Sequence, residues 1–194
     1  LPGEKAQYLM APIGRKLTEE IMRKSADPKP SGVLILLYPK SEETHFLLIE
    51  RNRYPGVHSG QISLPGGGQE ARDPDLETTA LREAEEEVGV DHHTVTVIRS
   101  LTQLYVPPSN FLIQPVCGYT NTEPVLIPDT REVVQILQVP VSQLMDDRNI
   151  RHKPIKLALG FTVDTPYFDL LGQVVWGATA MILSEFREWV RQSV

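Results

Sequence analysis

The stretch from Gly60 to Val90, GQISLPGGGQEARDPDLETTALREAEEEVGV, constrains the fold most: it sets Gly66, Gly67 and Gly68 ahead of a Glu-rich helix. Thr78 to Val88 holds no Pro or Gly and is rich in Ala, Leu, Glu and Arg, all strong helix formers. Asp73-Pro74-Asp75 suits a helix start, and Gly89 is placed to stop the helix. At about 100° per residue, Leu76, Ala80, Leu81, Ala84 and Val88 share one stripe that must face a core. Glu83, Glu86 and Glu87, at i, i+3 and i+4, fall together beside that stripe, with Arg82 next to them and Glu85 pointing elsewhere. Like charges at this spacing repel by a few tenths of a kcal/mol, and partial burial raises the cost. Only a cation among them turns this into a gain, and Mg²⁺ takes carboxylate oxygens while keeping waters and substrate phosphates. A solvated acidic face is the other reading. The glycines weigh against it, because they allow backbone to approach a bound group closely, although a plain turn uses them too.

The run Arg82 to Val90, following Gly-Gly and a spacer, resembles the Nudix box, G-x5-E-x7-R-E-U-x-E-E-x-G-U with U apolar. Arg82, Glu83, Ala84, Glu86, Glu87, Gly89 and Val90 match its second half. Counted back, the box's glycine falls on Gly68 and its first glutamate on Pro74, which carries no carboxylate. Asp73 or Asp75 stands in, or the spacer is looser. Upstream, Leu47, Leu48, Arg51, Gly60, Pro65, Gly66 and Gly67 are similar to the coenzyme A pyrophosphatase branch of that family, L-L-T-x-R-[SA]-x3-R-x3-G-x3-F-P-G-G. Ile49, Asn52, Gly56 and Leu64 depart from it; Arg53 lies close enough to supply the charge that Gly56 lacks.

At 194 residues, 41% hydrophobic and 23% charged, the chain is comfortable as one globular domain across 1–194, with 1–31 an N-terminal arm and helix. A formal charge of -6 argues against a nucleic-acid polymer as partner, since that affinity comes from Lys and Arg on phosphates. The single cysteine, Cys117, excludes an internal disulfide and sits in a strand-like run. No apolar run reaches a membrane span and none reads as a signal peptide, so cytoplasm is the expectation. Leu1 rather than Met opens the sequence, which leaves its natural start open.

Taken in order, Leu1 to Gly14 reads as an arm and Lys16 to Lys24 as a short amphipathic helix. Asp27 to Gly32 reads as a linker loop, and Gly32–Tyr38 and His45–Arg51 as strands. After the central helix, Thr94–Leu101, Phe111–Tyr119 and Glu132–Val139 read as strands, with a rigid loop at Tyr105–Asn110 and a short helix near Val141–Met145. His152 to Phe168 reads as a strand pair around Gly160 with a turn at Asp164-Thr165-Pro166. A turn at Gly172 then leads to one short strand, and a helix over Trp176–Arg191 closes the chain. Strands around a central helix with another at the end point to a mixed sheet carrying helices on its faces. His92-His93 reads as a solvated turn, Arg148, Arg151, His152 and Lys153 as a surface patch, and Ser109-Asn110 as a polar pair lining a pocket.

The resemblance implies the Nudix α/β/α sandwich with a mixed β-sheet. It implies metal-dependent hydrolysis of the pyrophosphate bond of a nucleoside diphosphate derivative. Coenzyme A, cleaved to 3′,5′-ADP and 4′-phosphopantetheine, is the leading substrate, with ADP-ribose, dinucleotides or nucleoside triphosphates as alternatives. A non-catalytic nucleotide-sensing module is the alternative of another class, and the presence of all three box carboxylates counts against it. Mg²⁺ or Mn²⁺ would rest on Glu83, Glu86 and Glu87 with backbone oxygen from Gly67. Arg82 would orient Glu83, Glu86 or else Glu132 would act as general base, and Arg51, Arg53, His58 and Gly66 would meet the substrate. A homodimer is left open, with neither a membrane nor a nucleic-acid polymer as partner.

Overall fold

The computed structural model describes residues 1–16, 18, 20, 27–52, 60–156, 160 and 162–193. Arg53, His58 and most of the helix expected over Lys16–Lys24 lie outside the described residues. Unbroken apolar runs, buried on both faces, make two long strands, β1 (Lys29–Lys40) and β2 (Glu43–Arg51), the centre of an eight-stranded mixed sheet. Val33 and Ile35 with Phe46 and Leu48 face one core; Leu34, Leu36 and Tyr38 with Leu47 and Ile49 face the other. Ser41 (φ 49°) and Glu42 (φ 63°) form the two-residue turn between them.

This hairpin is closed only at its turn end, where Leu37 to Lys40 pair with Phe46 to Glu43. Below that the strands splay, and two short strands fill the gap. β3 (Ile62–Ser63) pairs with β2 and β4 (Gly66–Gly68) pairs antiparallel with β1. On the outer edges, β7 (Phe111–Tyr119) runs parallel to β1 and carries β5 (Thr96–Ser100) and β6 (Leu104–Val106), while β8 (Val133–Pro140) pairs with β2. A separate antiparallel sheet holds β9 (Ile150–Lys156), β10 (Thr162–Leu170) and β11 (Gln173–Val175).

Helices cover both faces of the large sheet. α1 (Glu4–Tyr8) is followed by α2 (Leu76–Val88), α3 (Val141–Met145) and α4 (Gly177–Ser193). α2 lays Ala80, Ala84 and Val88 on the Leu34–Ile49 face, and α4 lays Ala180, Met181, Leu183 and Phe186 on the opposite face. The expected α/β/α sandwich with a mixed sheet is the observed fold. Cys117 is fully buried in β7.

The structure corrects several local expectations. Leu1 to Gly14 is no free arm: α1 docks on α4, where the buried Glu185 carboxylate accepts from Gly3 N (3.2 Å), Gln7 Nε2 (2.8 Å) and Thr102 Oγ1 (2.6 Å). Lys29 to Gly32 is not linker but the start of β1, drawn into pairing with β4 and β7. Leu104–Val106 is a strand paired on β7. Asp164-Thr165-Pro166 lies inside β10, not in a turn; β11 reaches only Phe168–Leu170, so Pro166 borders a single neighbour, where its missing N–H is tolerated. Ser109-Asn110 closes a turn, with Asn110 at φ 56° and its side chain on Tyr105 and Asp27.

Candidate active site

The site forms where α2 crosses the splayed end of the hairpin. Helix α2 is capped by Asp75, whose carboxylate accepts from Thr78 N (2.7 Å), and ended by Gly89 at φ 75°. Its close approach to the sheet depends on glycine. A Cβ on Gly32 would lie 2.4 Å from the Leu76 carbonyl oxygen, and one on Gly67 2.4 Å from the Glu83 carboxylate. At Gly67 the missing side chain lets a helix carboxylate lie against the strand backbone, while at Gly66 it lets the strand pass close to Gly32 and Val33 of β1.

Glu87 sits deepest, 2% exposed. Its Oε2 accepts from Gly66 N (2.8 Å) and its Oε1 from Arg51 Nη1 (3.1 Å). Burial nevertheless pushes its pKa up to about 7, outweighing the Arg51 charge and the Gly66 hydrogen bond. Glu83, one turn earlier, is also pushed upward by burial, against the opposing pull of Arg82. Both helix acids thus carry the cost of poorly solvated negative charge.

Arg82 is the organising cation. Its Nε and Nη2 grip Asp73 (3.0 Å each), Nη2 also donates to the Gly68 carbonyl (3.0 Å), and Nη1 reaches Glu83 (2.8 Å) and Glu86 (2.9 Å). Asp73 is buried, accepts further from Glu70 N and Thr79 Oγ1 (3.0 Å each), and is held down at about 2, chiefly by the Arg82 hydrogen bonds. Of the two aspartates, Asp73 is the one held against Arg82, and Asp75 is the helix cap.

Among the residues singled out in the sequence, Glu83, Glu87, Arg82, Arg51, Gly66 and Gly67 are brought together. Glu86 stands at the rim, half exposed, bound by Arg72 (2.9 Å) as well as Arg82. Glu132 lies in the turn before β8 rather than opening the strand, with Arg51 Nη2 4.0 Å from its carboxylate. The Gly66 N–H is taken by Glu87. The sequence reading missed Arg72 and left Asp73 unresolved. Arg148, Arg151 and His152 are each paired with an acid, Asp146, Asp169 and Asp164, as a surface patch would be.

The carboxylate donors fit a hard divalent ion: Glu83 and Glu87 are burial-strained acids facing a strand whose Gly67 backbone lies against Glu83. Glu86, half exposed at the rim, is shared between two arginines.

A glycine strand lies under a Glu-rich helix, on a mixed sheet between two helical layers. Residues 28–158 match the NUDIX domain, and the chain belongs to the Nudix family. It is 33% identical over 80% of its length to Nudix hydrolase 15, mitochondrial, of Arabidopsis thaliana, and spans 56% of that protein. It is 29% identical over 84% of its length to the peroxisomal coenzyme A diphosphatase ndx-8 of Caenorhabditis elegans, spanning 69% of it. Among solved structures, RenU, a Nudix hydrolase from M. smegmatis, superposes over 85% of this chain and 87% of its own, with TM-score 0.59 and 16% identity. Nudix hydrolases generally use divalent metal ions.

Proposed function

We propose that the protein is a divalent-metal-dependent pyrophosphohydrolase that cleaves coenzyme A to 3′,5′-ADP and 4′-phosphopantetheine. The observation that carries the reaction class is the pair of buried Glu87 and part-buried Glu83 laid against the glycine strand, an arrangement that is costly unless charge is neutralised there. The substrate rests on Leu47, Leu48, Arg51, Gly60, Pro65, Gly66 and Gly67 in the coenzyme A pyrophosphatase spacing, and on the likeness to the nematode diphosphatase.

Glu83 and Glu87, with Gly67 backbone oxygen, would hold Mg²⁺ or Mn²⁺. Bound there, the ion supplies Lewis-acid stabilisation of charge on the two phosphates and lowers the pKa of a water. Arg82 holds Glu83 in place while Asp73 holds Arg82. Arg51, set between Glu87 and Glu132, offers its remaining donors to a substrate phosphate. Of the two carboxylates considered as general base, Glu86 is committed to Arg72 and Arg82. Among the described residues the ion-pair partner of Glu132 is Arg51, at 4.0 Å, and Glu132 is the better base on this geometry. The setting proposed for this activity is the cytoplasm.

The test is turnover with Mg²⁺ on coenzyme A, ADP-ribose, NADH and diadenosine polyphosphates, with products separated by chromatography. Coenzyme A is expected to give the highest kcat/KM. Glu132→Gln is expected to lower kcat by about 100-fold or more with KM little changed, as for loss of a general base. A preference for ADP-ribose or a dinucleotide would reject the substrate, and full activity of Glu132→Gln would reject the base.

A further inference from the structure

Helix α2 ends in a cluster that the proposed reaction does not use. Beyond Gly89 the chain enters a single 3-10 turn, His92–Thr94, capped by Asp91: Oδ1 accepts from His93 N (3.0 Å) and the Asp91 carbonyl from Thr94 Oγ1 (2.7 Å). So tied, the turn presents three side chains together. One ligand atom from each of Asp91, His92 and His93 lies within 4.8 Å of the others, and the two imidazole centroids are 4.0 Å apart. Among the described residues, no other trio of His, Cys, Asp or Glu is so closely gathered. Four-coordinate zinc with bonds of about 2.0–2.2 Å sets its ligands roughly 3.3–3.6 Å apart, so a small contraction would complete a site.

A second feature points the same way. Glu85, the one glutamate of the helix run that turns away from Glu83 and Glu87, binds His92 Nδ1 through its carboxylate. A carboxylate on one ring nitrogen fixes the ring's orientation and tautomer and leaves the other nitrogen as a lone-pair donor, the usual outer partner of a metal-bound histidine. Two imidazoles and one carboxylate suit late first-row ions better than Mg²⁺, which prefers oxygen alone.

We propose that Asp91, His92 and His93 form a binding site for a late first-row divalent ion such as Zn²⁺, with Glu85 as the residue that positions His92. Three protein ligands leave a fourth position for water. An ion there would fix the turn that follows the helix carrying Glu83 and Glu87, and would hold His92 against Glu85 of that helix. The site shares no ligand with the glutamate pair and does not depend on which substrate is cleaved.

The test is a Zn²⁺ titration of metal-free protein carrying no histidine tag, read by competition with a chromophoric chelator. The wild type is expected to take up Zn²⁺ at this site in the presence of millimolar Mg²⁺. His92→Ala/His93→Ala should weaken binding by at least about 100-fold. Glu85→Gln should weaken it about 10–100-fold, the range for loss of an outer partner. Asp91→Asn keeps an acceptor for His93 N and removes the charge, and should weaken binding at least about tenfold. Glu83→Gln/Glu87→Gln should bind as the wild type does. Thermal melts of each variant check folding. Equal Zn²⁺ affinity in the histidine variant, absence of binding by the wild type, or loss of binding only in the Glu83/Glu87 variant would each overturn the assignment.

Discussion

Glu87 and Asp73 are buried acids pulled in opposite directions, and they make opposite predictions about pH. An ordinary glutamate titrates near 4.5, and Glu87 in the folded chain near 7. Between those values the unfolded chain has released the proton that the folded chain keeps, so rising pH favours unfolding. Without metal, Glu87 should cost on the order of 3 kcal/mol above pH 7, a cost removed on acidification towards pH 4.5. Urea melts in EDTA at pH 5, 6 and 8 should show Glu87→Gln gaining on the wild type as pH rises. A constant difference across that range would mean that Glu87 is not strained. Asp73 behaves conversely: its folded value near 2 lies below the ordinary 3.8. Its contribution is complete above 3.8 and lost as pH falls through 2. Asp73→Asn leaves Arg82 without its main counter-charge and should cost about 3–5 kcal/mol at pH 7. Asp75→Ala removes only a helix cap and should cost about 1 kcal/mol. Equal costs would mean that the two aspartates do not have the distinct roles assigned to them.

At the scale of elements, the contact of α2 with β1 and β4 separates packing from chemistry. Gly32 and Gly67 both face α2, but a methyl group would meet different things. At Gly32 it would strike helix backbone, the Leu76 oxygen at 2.4 Å and the Ala80 nitrogen at 2.8 Å. Backbone there yields only if the whole helix lifts. At Gly67 it would strike the end of the Glu83 side chain, which can swing away. Gly32→Ala should therefore destabilise by about 1–3 kcal/mol or more, the range for overpacking. Gly67→Ala should stay within about 1 kcal/mol of the wild type in EDTA yet lose most of its stabilisation by Mg²⁺. Chemical denaturation with and without the ion measures both, and equal losses of stability in the two variants would contradict the distinction.

Across the whole molecule, the parts legible in sequence were those whose side chains carry a pattern. Leu34 to Tyr38 and Phe46 to Ile49 are unbroken apolar runs because both faces of each strand are buried, and Phe111–Tyr119 reads as a strand over its observed span. Thr78 to Val88 is legible as a helix because its stripe, start and stop signals agree, and the observed helix begins two residues earlier, at Leu76. What stayed hidden depended on partners distant in the chain. Three glycines have no side-chain pattern, so β4 shows itself only through pairing with Ser31–Val33. Five residues of α1 hold a helix because Gly3 and Gln7 reach Glu185. Spacing alone left Asp73 and Asp75 as equals, and the fold separates them by burying one against Arg82. Glu86 looked like a member of the cluster on a helical wheel, but Arg72, in the loop before the helix, draws it to the rim.

Thermal melting tests, without any substrate, whether Glu83 and Glu87 form a divalent-ion site. Wild type and Glu83→Gln/Glu87→Gln are melted in EDTA, in MgCl₂, and in NaCl at matched ionic strength. An ion that ignores the unfolded chain stabilises by about 2.7 kcal/mol at a hundredfold excess over Kd. For a chain of this size that corresponds to a Tm rise on the order of 5–10 °C. The wild type should show that rise in MgCl₂ alone, and the double variant should lose it while melting no lower than the wild type in EDTA. Equal shifts in NaCl and MgCl₂ would be the screening of ordinary surface charge and would contradict the site.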